Sequence, residues 1–215
     1  ANDPRGKQIP DYLSAVATDF AAQRRFLLAE LNQLRTHIDH IKQVVAMQQN
    51  YAKVSGVCEI IAVEKLVADA LQINVSALDR HSATLRKAYE SVPPILVDKH
   101  KVLQILVNLI SNAKYAVSHR PHSDKLMTLR IAPDGSDHVL IQVQDNGAGI
   151  PPENLTRIFG HGFTTRHDGH GFGLHSGALA ARELGGALTA HSDGPGHGAT
   201  FTLRLPLKPQ PPAAA

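Results

Sequence analysis

Little in this chain marks it as secreted, membrane-embedded or bound to nucleic acid. Cys58 is the one cysteine among 215 residues. It can form no internal disulfide and has no second thiol for a metal knot, which suits a reducing cytoplasm. No run approaches eighteen apolar residues and residues 1–10 are polar, so this segment is expected neither to cross or contact a membrane nor to carry a signal peptide. An upstream sensor or membrane part stays open. The net charge is +3 and the pI near 9.1, yet the charges alternate in sign and form no basic block, so nucleic-acid binding finds no support. There is no internal repeat. What is present is a 43% hydrophobic content, enough for a full core and two units.

From Asp11 to Val54 there is neither proline nor glycine. Within that stretch Leu27, Leu31, Leu34, Ile38, Ile41 and Val45 recur at spacings of four, three, four, three and four, a narrow heptad seam. Such a helix would be about 60 Å long, and it needs a partner. Ser55-Gly56 ends it, and a second helix is expected over residues 63–79 with Val63, Val67, Ala70, Leu71 and Leu78 available for burial. Residues 11–82 therefore read as a helical hairpin that pairs with a second copy in a four-helix bundle. The alternative is a helical subdomain resting on the domain that follows.

Residues 1–10 read as a tail or linker, 83–207 as a second domain and 208–215 as a Pro/Ala tail. In the second domain the pattern predicts strands over 84–89, 95–97, 125–131, 138–144, 187–191 and 199–205. A helix capped by Asp98 is expected to about residue 117, and another over 174–184, stopped by Gly185-Gly186. The fold class is α+β, a long hairpin followed by a two-layer sandwich.

The chemistry gathers in a few short stretches. Val143-Gln144-Asp145-Asn146-Gly147-Ala148-Gly149-Ile150 is a strand breaking into an aspartate and two glycines. The carboxylate can accept a hydrogen bond from an exocyclic amine, and the glycines let the backbone approach a flat ring. Asn108 and Asn112 lie four apart on one helix and share a face. Asn112 offers a neutral oxygen suited to a hydrated Mg2+. Gly169-x-Gly171-x-Gly173 precedes a helix and can present N–H groups to phosphate oxygens. No G-x-x-x-x-G-K-[ST] occurs, which excludes a P-loop.

Taken in order, Asn108-Leu109-Ile110-Ser111-Asn112-Ala113, then Asp145-Asn146-Gly147-Ala148-Gly149, Phe163-Thr164-Thr165-Arg166 and Gly169-His170-Gly171-Phe172-Gly173-Leu174 resemble the N, G1, F and G2 boxes of the GHKL (Bergerat) ATPase superfamily. The resemblance is nearest to the ATP-binding domain of sensor histidine kinases and covers residues 84–206. It implies ATP and Mg2+ as ligands, with Asn112 on the metal and Asp145 on the adenine amine. Gly147, Gly149 and Ile150 would line the base, and Thr200, in a final Gly198-Ala199-Thr200-Phe201 box, would stand near it. Asn108, Tyr115 and Gly169 to Leu174, including His170, Gly171, Phe172 and Gly173, would complete the nucleotide site. Phe159 and Phe163 would clamp a lid from which Thr164, Thr165 and Arg166 reach the terminal phosphate. Relatives that hydrolyse ATP carry a glutamate where this chain has Asn108, so the site reads as one for transfer. Lys114 departs from the usual N-box spacing and is expected to be a solvated lysine.

The same resemblance implies a phosphoacceptor histidine on the dimerisation helix, handing its phosphoryl group to an aspartate on the receiver domain of a response regulator. Arg35-Thr36-His37-Ile38-Asp39-His40 lacks the usual acceptor motif. In the heptad frame His37 flanks the seam and His40 faces water. The expected acceptor is thus His40, with Asp39 to orient it and take its proton. Two alternatives stay open: a GHKL kinase acting on Ser or Thr of another protein, and a nucleotide-binding dimerisation module without catalysis. The histidines of the lid lack metal-ligand spacing, so zinc is not expected.

Overall fold

The computed structural model describes residues 13, 16–21, 23–28, 30–31, 57–78, 84–118, 124–166 and 171–208. The chain divides into two compact units, Ala1–Val54 and Ser55–Ala215. In the first, every described residue is helical.

The second unit runs β1 (Glu59–Ile61), α1 (Val63–Leu78), β2 (Thr84–Tyr89), β3 (Ile95–Val97), α2 (Lys99–Ser118), β4 (Leu126–Asp134), β5 (His138–Asp145), α3 (Pro152–Leu155), α4 (Gly173–Glu183), β6 (Ala187–His191) and β7 (Ala199–Pro206). Five strands form one sheet in the order β2-β4-β5-β7-β6, and β1 pairs with β3 in a separate two-stranded ribbon. Only β2 and β4 are parallel; the other pairs are antiparallel.

The period-two alternation of the sequence fixes which face of the sheet is covered. Met127, Leu129 and Ile131 of β4, Val139, Ile141 and Val143 of β5 and Phe201, Leu203 and Leu205 of β7 all point into one core. Val102, Ile105, Leu106, Leu109 and Ile110 of α2 meet them there. The other face is polar. Arg130 donates to Gln142, Gln142 to Thr202, and Arg204 to Asp134. The result is a two-layer α+β sandwich with helices on one side.

Every strand expected in this unit is present, within one to three residues at its ends. Asp98 caps α2 as expected, its Oδ1 accepting from the N–H groups of His100 (3.0 Å) and Lys101 (3.3 Å). β1 and α3, at three and four residues, are too short to show a period and were not expected.

The larger difference lies at α1. Its Val63, Leu66, Val67, Ala70 and Leu71 sit in the same core as the sheet and α2, and the Asn74 amide donates to the α2 carbonyl of Val107. Complete burial of a Leu or Val side chain is worth roughly 1.5–3 kcal/mol, so this face is committed to the second unit. Among the described residues no long hairpin is seen. Helix 63–78, expected in the hairpin, packs on the domain that follows it, while much of the other expected helix lies outside the described residues.

Candidate functional site

The site begins where β5 ends. Val139, Ile141 and Val143 point into the core, and Asp145 follows on the same face, so strand alternation carries a carboxylate into a buried position, 4% exposed. Burial pushes its pKa up to about 6. The N–H groups of Gly147, 2.8 Å from Oδ1, and of Ala199 oppose that rise. Asn146 ties the strand end to β4 by accepting from the Leu126 N–H and donating to the Asp124 carbonyl.

The glycines after Asp145 are required by the chain itself. A Cβ on Gly147 would lie inside the main chain of Ala116 in the last turn of α2, and one on Gly149, whose φ is +72°, would strike the Gly194 carbonyl. Between them Ala148 donates to the Ala116 carbonyl (3.2 Å) and accepts from Gly196 (2.6 Å). The half-buried Ile150 closes the loop by donating to Ser192 Oγ at 3.0 Å.

Thr200 stands elsewhere than expected. It pairs with Gln144 and His191, one register step from Asp145, on the outer face it shares with Gln142 and Thr202. Ala199 is the residue opposite Asp145, and it reaches the carboxylate through its backbone N–H.

One face of α2 makes the other wall. The Asn108 carboxamide packs on Gly173, the first residue of α4, where any Cβ would collide with it. Its Nδ2 is buried and has no hydrogen-bond partner among the described residues. One turn on, Asn112 Oδ1 accepts from Arg166 Nη2 at 2.8 Å, and the Asn112 carbonyl accepts from the same nitrogen at 3.3 Å. The guanidinium lies 4.1 Å from the centre of the Tyr115 ring, a cation–π contact. Burial lowers the Arg166 pKa, but from so high an ordinary value that the charge stays at neutral pH. A positive group thus already seats on the oxygen assigned to Mg2+, so Asn112 fits a hydrated divalent cation once Arg166 swings away. Tyr115 faces that guanidinium. Lys114, expected in solvent, is buried at 8% exposure.

The lid is stitched to the first turn of α4. Phe159 and Phe163 pack against the core as expected, with Arg157 over the Phe163 ring at 5.0 Å. Gly171 presses against the main chain of Gly162 and Phe163 with no room for a side chain. The His161 ring meets Phe172 and His175 edge-on at 4.8 and 5.3 Å. His175 Nδ1 lies 2.9 Å from the Phe159 carbonyl, which can only accept, so the proton is on Nδ1. Thr164 Oγ accepts from the Arg166 N–H, and Thr164 and Thr165 are exposed. Leu174 packs on the core.

Asp39, His37, His40, Gly169 and His170 lie outside the described residues. Among the described residues no three His, Cys, Asp or Glu side chains gather as a metal group, and no helix is long and apolar enough to cross a membrane. Sequence reasoning passed over His175, Ser192 and Ala199. None carries a motif of its own, and Ala199 acts through its backbone alone.

With this geometry the chain matches, over residues 97–209, the family described as histidine kinase-, DNA gyrase B- and HSP90-like ATPases. The chain belongs to that family. Its relatives are two-component sensor kinases. The sensor histidine kinase ZraS of Salmonella typhi is 34% identical over 138 residues, 63% of this chain and 29% of ZraS. The sensor histidine kinase TmoS of Ectopseudomonas mendocina is 27% identical over 213 residues, 93% of this chain and 22% of TmoS. The chain therefore spans under a third of the length of either. Full-length ShkA, solved in complex with AMPPNP, superposes with a TM-score of 0.64 at 24% identity, over 73% of this chain and 32% of that one. The ATPase-family fold thus accounts for the sandwich and for the order of its boxes.

Proposed function

We propose that this chain is the kinase core of a two-component sensor. It binds ATP with Mg2+ and moves the γ-phosphoryl group to a histidine, from which a response-regulator aspartate receives it. Asp145 holds the adenine amine, with Gly147, Gly149 and Ile150 as the base-facing loop. Asn112 Oδ1 takes the metal, and Arg166, released from that oxygen, turns to the terminal phosphate with Thr164 and Thr165. When bound, Mg2+ neutralises phosphate charge; the protein's part is positioning and electrostatic stabilisation. Asn108 Nδ2, a buried donor without a partner, is free to meet a ligand oxygen.

The observation that carries transfer over hydrolysis is the side chain at 108. It is held against Gly173 at the mouth of α4, and an amide there accepts no proton at neutral pH to activate water. The acceptor proposed is His40, oriented by Asp39, on a helix that pairs with a second copy of the chain.

Incubation with γ-labelled ATP and Mg2+ tests the reading, comparing wild type with His40→Ala and His37→Ala. Acid-labile label lost only in His40→Ala is the expected result. Label retained in both variants moves the acceptor elsewhere, acid-stable label points to Ser or Thr, and tight ATP binding without label leaves a signalling module without catalysis.

A further inference from the structure

Ser192 follows β6 directly, in the turn that leads to β7. Its hydroxyl is fully used within the protein. It accepts from the N–H of Ile150 (3.0 Å) and of Gly194 (3.3 Å) and donates to the Gly198 carbonyl (2.6 Å). One proton and two lone pairs are all a hydroxyl has, so Ser192 has nothing left to offer a ligand. What it joins is informative. Ile150 ends the loop that begins at Asp145. Gly198, with φ +73°, lies so close to the Asp145 carbonyl and Asn146 Cα that a Cβ would strike both, and the next N–H, that of Ala199, bonds the Asp145 carboxylate. A second cross-link, Gly196 N–H to the Ala148 carbonyl at 2.6 Å, runs parallel. The 145–150 loop and the 192–198 turn are therefore two halves of one clamp, and Ser192 is the side chain that closes it.

We propose that Ser192 is a positioning residue for the nucleotide base, setting the distance between the Asp145 carboxylate and Ile150 without touching the ligand. This rests on the reading that the base sits at Asp145. Replacing Ser192 by Ala takes the side-chain partner from the N–H groups of Ile150 and Gly194 and from the Gly198 carbonyl, and lets the loop drift from the turn. The loss falls at the base end of the site, so adenosine and ADP lose affinity by the same factor, about tenfold for one such bond.

Calorimetric titration of the full chain with ADP–Mg2+ and with adenosine tests this for Ser192→Ala and Ser192→Thr, with urea midpoints measured alongside. The expected result is equal loss for both ligands in Ser192→Ala and recovery in Ser192→Thr, which keeps the hydroxyl. Unchanged affinity with a lowered urea midpoint makes Ser192 merely structural and overturns the proposal. So does a loss that Thr does not recover, or one confined to ADP. Should Ser192→Ala not fold, Ser192→Cys, with a weakly bonding thiol of similar shape, decides by the same titrations. An Asp145→Ala control separates the two ideas. If it binds ADP normally, the base-seat reading has failed; if it does not bind while Ser192→Ala does, only the clamp has failed.

Discussion

Asp145 is the residue on which pH acts. Its carboxyl titrates near 6 in the fold against about 3.9 when unfolded, so the folded state prefers the protonated form. The stabilisation this gives is complete below pH 4 and is lost as pH rises through 6, with roughly 3 kcal/mol as the upper limit at about 1.4 kcal/mol per pK unit. Wild type free of nucleotide should therefore lose stability to urea between pH 4 and pH 7, while Asp145→Asn, which cannot ionise, should not. Equal slopes for the two proteins would mean the carboxylate is not the titrating group. Nucleotide affinity should run the other way, because the ionised form is the better acceptor for the adenine amine: ADP binding by wild type weakens below pH 6. Gly147 gives a second test at this scale. If its lack of a side chain served only an incoming ring, Gly147→Ala would leave the empty protein as stable as before. Since the new Cβ falls on the Ala116 main chain, the variant should instead lose about 2 kcal/mol, an ordinary overpacking cost, read as a lower urea midpoint without ligand. The sequence singled out Asp145 for its carboxylate and Gly147 for its approach to a flat ring, whereas the fold requires that glycine because of the Ala116 main chain. It misdirected attention to Thr200 because the neighbouring contact is made by a backbone N–H, which any residue but proline supplies at Ala199.

Among the elements, α2 and the lid form the device that answers to charge. Arg166 bridges Asn112 and Tyr115, tying its end of the lid to α2 by one charge-assisted hydrogen bond and one cation–π contact, together worth about 2 kcal/mol. Arg166→Ala should open residues 160–166, raising their amide exchange at least tenfold in the absence of nucleotide. On the phosphate role proposed for Arg166, the substitution should also weaken AMPPNP–Mg2+ binding while leaving adenosine affinity unchanged. Unaltered exchange would remove the bridge from the account. A fall in adenosine affinity would show that the substitution disturbs more than the phosphate end. Most of these elements were legible: the strands from alternation, α2 from its Asp98 cap and apolar stripe, the end of α4 from Gly185. The docking of α1 was not. Val63, Val67, Ala70 and Leu71 say that a face is buried, and nothing in their spacing says against what. The resemblance implied a phosphate role for Arg166, whereas its contact with Asn112 depends on how the lid folds back, which no local pattern encodes.

At the scale of the whole molecule, the commitment of α1 to the ATP-binding unit changes the arithmetic of assembly. In the first unit, Leu27 and Leu31 of the expected seam stand 59% and 60% exposed. Two leucines from each copy, at roughly 2 kcal/mol apiece, would give about 8 kcal/mol, part of an association cost of about 4–15 kcal/mol. The full seam, with Leu34, Ile38, Ile41 and Val45, would offset most or all of it when buried against a second copy in which the same residues are buried too. In the proposed dimer Leu27 and Leu31 are a large share of the seam, and carboxylates in their place, buried without partners against a second copy, should be enough to dissolve it. On the proposed dimer, the expected outcome for Leu27→Glu combined with Leu31→Glu is a particle of one 23.2 kDa chain by light scattering, against two for wild type. ADP affinity should stay at the wild-type level, because none of the core around α2 and the sheet uses these residues. A variant that remains dimeric would place the interface elsewhere. A variant that loses ADP binding as well would contradict the division into two units at Val54.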